Sequence, residues 1–378
     1  VAACLVMGML PTPALADDTP HSDHPICGAT HTDIGDHTTD NCENATWTAW
    51  DGTDPIPYDA DSKTAYVYLE KNVERTDALS VVDGQTLYLC LNGHNITRSA
   101  AENVISVDNG STLILCDCKG GGKITHSDSI TGRGVEVGSH KIATFIMYGG
   151  EISGNHVGTT EKKDDGAGVN ISTGTFTMYG GKISNNYLDV PLNCGGGVCA
   201  KGKRSEFIMY GGVISDNTSV DGGGVGVFYG AVVTISGGAI SGNKATGDGG
   251  GIYFQSGSNT LRMNGGSITG NTATGNGGGV YFDGDTFSIS GGVDISGNKK
   301  ESVDNNVYLP TDKYITIAGE LTGSNKIGVT TEKMPDASNY VHIASGSQSY
   351  ANPEQFQYEN DKTISVSTVI SGNTADLV

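Results

Sequence analysis

Along the middle of the chain, apolar and polar residues alternate in short stretches that return at a regular interval. Phe145 to Tyr148, Phe176 to Tyr179, Phe207 to Tyr210, Val233 to Ser236, Leu261 to Asn264 and Phe287 to Ser290 align with one another. The first and third positions are apolar in every copy, and the second and fourth vary, including Thr177, Arg262 and Ser288. Period-two alternation marks a strand with one buried face.

Two further motifs travel with this strand. A Gly-Gly-x-Ile-(Ser/Thr)-x-Asn frame follows it at Gly149–Asn155, Gly180–Asn186, Gly211–Asn217, Gly237–Asn243 and Gly265–Asn271. It returns with one inserted residue at Gly291–Asn298. A glycine run comes next, at Gly195–Val198, Gly222–Val225, Gly249–Ile252 and Gly277–Val280. Gly166–Val169 is a looser copy and Asn306–Leu309 a last one without glycines. The anchoring isoleucines, from Ile96 and Ile124 through Ile152, Ile183, Ile214, Ile240, Ile268 and Ile295, lie 26 to 31 residues apart. A period in that range marks a solenoid or a propeller, and a four-stranded propeller blade usually takes over about 40 residues. Three short strands per period with glycine corners predict an all-β chain. The expected fold is a right-handed parallel β-helix of about nine three-strand coils, a rod of roughly 40 Å at about 4.8 Å per coil. Asn155, Asn186, Asn217, Asn243, Asn271 and Asn298 then stack as a structural ladder at one corner.

The flanks differ. Val1 to Leu10 is apolar and uncharged, and Ala14-Leu15-Ala16 supplies a small-x-small cleavage pattern. Residues 1–16 therefore read as the remnant of a secretory signal, which is too short to span a bilayer. Residues 17–50 form a Cys/His-rich segment, 51–325 the β-helix, and 326–378 a cap and linker. Export predicts a secreted or cell-surface protein with no membrane span in the mature chain.

Composition sharpens this picture. The net charge of −20 argues against nucleic acid, because phosphate binding needs clustered Lys and Arg. There are eight cysteines, and in an exported chain disulfides are permitted. His21, His24, Cys27, His31, His37 and Cys42 lie within 22 residues. Such a cluster suits either zinc or a Cys27–Cys42 disulfide, and its irregular spacing favours the disulfide. Cys90 and Cys116 occupy equivalent places in adjacent coils and are expected to pair, with Cys118 as a rival. Cys194 and Cys199 are expected to close locally around a glycine turn.

The unit from Ile240 to Ile252, with its Ile-Ser-Gly-Asn and Gly-Gly-Gly-Ile elements, resembles the GGA(I/L/V)…xxxN repeats of polymorphic outer-membrane-protein and adhesin-type β-helices. Thr86–Ile96 with Thr112–Ile124 resembles large repeat-rich surface proteins of Gram-positive bacteria. The resemblance covers about residues 65–325 and implies a secreted or surface stalk, often an adhesin, whose partners are host or plant glycans or surface proteins. No sorting motif or anchor precedes Val378, so anchoring is expected beyond that point, or else release.

The rival reading is a polysaccharide lyase or glycoside hydrolase of the pectin-lyase-like fold. Such enzymes need converging carboxylates, or a base beside a cation. The five arginines, Arg75, Arg98, Arg133, Arg204 and Arg262, are scattered, and no catalytic constellation emerges. Three outward rows remain as candidates. Tyr148, Tyr179 and Tyr210 form one; Tyr253, Tyr281 and Tyr308 form another on a different face. Each suits a sugar platform or plain cross-strand stacking. The third row, Asp165, Cys194, Asp221, Asp248 and Asn276, precedes the glycine run. Asp221 and Asp248, with Asn276 beyond them, suit calcium or the start of a solvated turn. No other cofactor is expected.

Overall fold

The computed structural model describes residues 47–377, apart from 54, 159–165, 190–193, 336–339, 348, 351, 361–364 and 372–373. The signal remnant, the Cys27–Cys42 pair, the histidine cluster and Asp165 all lie outside the described residues. The chain is all-β, with one 3-10 turn at Pro353–Gln355 among the described residues. It winds as a parallel β-helix.

Three main sheets run the length of the coil stack. The first holds the alternating strands. It runs through twelve parallel strands from Thr48–Trp50 to Ala344–Ser347, and the antiparallel strands Thr374–Leu377 and Thr368–Ser371 close it. The second has nine strands, from Val73–Arg75 to Asp294–Ser296. The third has eleven, from Leu79–Val81 to Phe356–Tyr358. The stacked body thus extends beyond the expected 51–325 span at both ends. The closing coils lack the glycine motifs but keep the alternation, with Ile327 and Val329 buried.

Register follows from the repeat. Phe145, Phe176 and Phe207 lie opposite one another, and their rings stack at 4.7 and 5.1 Å. Met147, Met178 and Met209 form the next inward ladder. Ile152, Ile183, Ile214, Ile240, Ile268 and Ile295 pair down the second sheet, all buried. Val198, Val225, Ile252, Val280 and Val307 do the same in the third. Each such side chain contributes roughly 1.5–3 kcal/mol by leaving water. A one-residue slip would turn every one of them outward, so the register is strongly specified.

Between the second and third sheets the middle coils add a fourth, two-residue strand. Examples are His156–Val157, Tyr187–Leu188, Thr218–Ser219 and Lys244–Ala245, in a seven-stranded sheet. The asparagine ladder sits just before it. Asn217 donates from Nδ2 to Asn243 Oδ1 at 3.0 Å and to the Ile183 carbonyl at 2.9 Å. Its own Oδ1 accepts the backbone and side-chain N–H of Asn186, both at 3.0 Å.

The glycine runs make room for this row. A Cβ on Gly224 would lie 3.0 Å from Asn243 Nδ2 and 2.6 Å from the Gly251 carbonyl. Gly181 serves a different need. With φ +83° it turns the chain from the first sheet to the second in the left-handed region that favours glycine.

Candidate functional site

The first tyrosine row ends strands of the first sheet. Tyr148 and Tyr179 stack at 4.9 Å and 7°, and Tyr179 and Tyr210 at 5.0 Å and 13°. Near-parallel stacking turns the ring faces toward one another along the rod. The row therefore presents ring edges and phenol groups outward, which suits cross-strand stabilisation better than a sugar platform. Burial, and then the neighbouring Tyr210, push the Tyr179 phenol upward.

The same ladder continues through two thiols. Cys90 and Cys116 are direct partners in register, both buried. The expected Cys90–Cys116 bond is not drawn between them in the structure, and the rival partner named from the sequence, Cys118, also lies close. In-register side chains leave a parallel sheet side by side. Cys118, in the turn after its strand, instead brings its Sγ to 3.4 Å from Cys90 Sγ. Hydrogen bonding with the Cys116 thiol, with burial adding to it, pushes the Cys90 thiol upward. Cys194 and Cys199 are joined as expected, with Cα atoms 5.3 Å apart.

The second tyrosine row lies on the third sheet. Tyr253 and Tyr281 stack at 5.1 Å, Tyr281 and Tyr308 at 5.4 Å, and Phe228 packs on Tyr253 at 5.7 Å. Here the structure joins what the sequence kept apart. The acidic row adjoins these rings because the chain reverses at Gly249, with φ +67°. A Cβ there would lie 2.7 Å from Tyr253 Cα. Burial raises the Tyr253 phenol to about 12, helped by the charges of Asp221, Asp248 and Asp283. Burial also raises Tyr281, with Asp248 next, and raises Tyr308, with Glu332 and Asp248 adding to it. All three phenols stay protonated at neutral pH.

The acids themselves are tied into the stack. Asp221 Oδ1 accepts the backbone N–H of Asp248 at 2.8 Å, and Asp248 Oδ1 accepts that of Asn276 at 2.5 Å. Asn276 Oδ1 in turn accepts from Lys300 Nζ at 2.9 Å. Each side chain thus bonds a neighbouring coil. Burial raises the Asp221 carboxyl, the Asp248 N–H opposes this, and the Asp248 charge adds to it. Among the described residues no group of three or more His, Cys, Asp or Glu has an arrangement fit to hold a metal ion.

Just past Tyr308 in the chain lies a cleft of about 740 Å³. Its walls are the loop from Leu309 to Tyr314, the turn from Thr331 to Met334, and Tyr340 to His342. Tyr314 stacks on His342 at 4.5 Å and 20°. The His342 Nε2–H donates to the Ala344 carbonyl at 2.9 Å and sets the ring's orientation. Glu332 accepts from the Thr311 N–H at 2.9 Å and hydroxyl at 2.5 Å, which hold its carboxyl below the ordinary range. Lys313 Nζ donates to the Gly284 carbonyl at 2.6 Å and lies 3.6 Å from Asp283. Sequence reading missed this cleft, because its residues lie where the repeat stops. The exposed tyrosines of this stretch were the available signal.

No protein family, no curated protein and no solved structure matches the chain. Among the described residues no helix is long and apolar enough to cross a membrane. Of what the resemblance to adhesin-type repeats implies, the structure bears out the parallel β-helix.

Proposed function

We propose that the chain is an exported, adhesin-like β-helix module, secreted or held at a cell surface, that stands as a stalk and binds a glycan or a surface protein. The observation that carries this reading is how the repeat spends its polar residues. The asparagine ladder and the Asp221–Asp248–Asn276 row each satisfy groups of neighbouring coils. Polar chemistry that recurs from coil to coil along the middle of the stack serves stacking, as a stalk requires. Binding is then left to places where the repeat is interrupted.

No observation favours the lyase or hydrolase alternative. Asp221 and Asp248, on neighbouring coils, each have one oxygen committed to a backbone N–H, and in the cleft beyond Leu309 Glu332 is held by Thr311. The purified chain should bind members of a glycan and host-surface-protein array and release no reducing or unsaturated ends from polysaccharides. Saccharide release would sink the reading, and so would silence across both arrays.

A further inference from the structure

The cleft beyond Tyr308 differs in kind from the rest of the surface. Large apolar side chains exposed to solvent are scattered singly over most of the rod, but three of them meet here: Tyr340 is 77% exposed, Met334 54% and Tyr314 44%. Clustered exposed apolar surface in a concavity marks a binding site, whereas isolated residues do not. Its volume of about 740 Å³ falls within the roughly 300–1,000 Å³ of small-ligand sites.

We infer that this cleft is a binding site for a short neutral oligosaccharide, a deepening that rests on the adhesin-like reading above. Three features choose this class. First, the rings differ from those of the two tyrosine rows. Among the described residues Tyr314 stacks on His342 and is nearly half exposed, and Tyr340 is largely exposed where it lines the cleft. Exposed ring surface can cover the C–H face of a sugar, which is apolar, while the sugar's rim stays polar.

Second, the polar groups around those rings are already oriented. Thr311 holds Glu332, and the Gly284 carbonyl holds Lys313. Fixed donors and acceptors suit hydroxyl groups and lose little freedom on binding.

Third, the lining charges balance, two lysines, Lys313 and Lys333, against two carboxylates, Asp312 and Glu332, with Asp283 just outside beside Lys313. A phosphate or uronate would meet these carboxylates on a chain of net charge −20. A basic peptide would meet Lys313 and Lys333. A neutral saccharide pays neither penalty.

The test is titration of the full chain with neutral gluco-, manno-, xylo- and N-acetylglucosamine oligosaccharides, read by NMR and calorimetry. At least one series should bind. Tyr340→Ala and Tyr314→Ala should each weaken it about tenfold or more, while Tyr340→Phe, which keeps the ring, stays within a few-fold. Tyr179→Ala, on the other face, should bind as the wild type does. Tyr340 is so exposed that its replacement leaves the fold intact, which the melting curve checks.

The inference is overturned if no neutral series binds, if only acidic glycans or peptides bind, or if binding survives both alanine variants. Array binding that persists in those variants overturns the cleft alone and leaves the adhesin-like reading standing. Silence of the wild type on every array removes both.

Discussion

Glu359 closes the asparagine ladder through Asn306. One carboxylate oxygen accepts the Asn306 backbone N–H at 2.8 Å, and the other accepts its side-chain N–H at 2.6 Å, across 53 residues of sequence. Asn298 donates to Asn306 Oδ1 at 3.0 Å, so the row of amides runs unbroken into this carboxylate. Every Nδ2 points the same way, and the aligned dipoles present their positive end to Glu359. Glu359→Gln keeps one acceptor but turns an NH₂ group toward the second donor. It should cost roughly 1–3 kcal/mol, read as a lower urea midpoint with an unchanged slope. An unchanged midpoint would mean that the carboxylate contributes nothing to closing the row.

Asn217 tests the ladder at its middle. Its amide makes four bonds, two accepted from Asn186 and two donated to Ile183 and Asn243. Asn217→Ala leaves buried donors and acceptors unmet and should cost about 3–5 kcal/mol. Asn217→Asp should be at least as harmful near neutral pH, because a carboxylate cannot donate to the Ile183 carbonyl or Asn243 Oδ1. If the aspartate variant proved the milder of the two, the assigned direction of the amides would be wrong.

The sequence made the ladder legible because one residue type at a fixed spacing in a strand-and-turn repeat can only stack. The inward Phe, Met and Ile rows were legible for the same reason. The two-residue strands such as Lys244–Ala245 were not, since two residues carry no period. The meeting of Asp248 with Tyr253 was hidden because both flank a glycine run, whose positive-φ reversal no alternation pattern records. Cys90 was matched to Cys116 correctly in register, but register does not set where Sγ atoms go. The cleft was least legible of all, because it is built from loops after the repeat ends.

Asp221 should give an inverted response to pH. Its carboxyl is raised chiefly by burial, and the charge of Asp248 adds to this. A raised folded pKa means that the group's stabilising contribution is complete below its unfolded value and is lost as pH rises through the folded one. Asp221→Asn keeps an oxygen for the Asp248 N–H and removes the charge. At neutral pH the variant should match or exceed the wild type, and the difference should close toward pH about 4. Thermal melts across that range decide it. Calcium held between Asp221 and Asp248, the expectation from spacing alone, would reverse the sign. The wild type would then melt lower with chelator, and the variant would lose stability in calcium.

Asp108 should behave in the opposite way. It is buried at the end of a third-sheet strand, where desolvation works against its charge. The N–H of Lys141 at 2.9 Å, the Ser139 hydroxyl at 2.7 Å, His140 Nδ1 at 2.6 Å and the N–H of Asn109 at 2.7 Å outweigh that penalty. Together they hold the carboxyl far below the ordinary range. The folded pKa is depressed, so the stabilisation is present above the unfolded value, about 3.9, and is lost as pH falls through the folded one. These bonds clamp the turn after one coil onto the turn after the next. Asp108→Ala should therefore cost roughly 2–4 kcal/mol at neutral pH and flatten the acid limb of the stability profile. Asp108→Asn should recover only part of the loss, since an amide oxygen replaces a charged acceptor shared among several donors. Equal acid sensitivity in wild type and Asp108→Ala would show that the clamp does not depend on this charge.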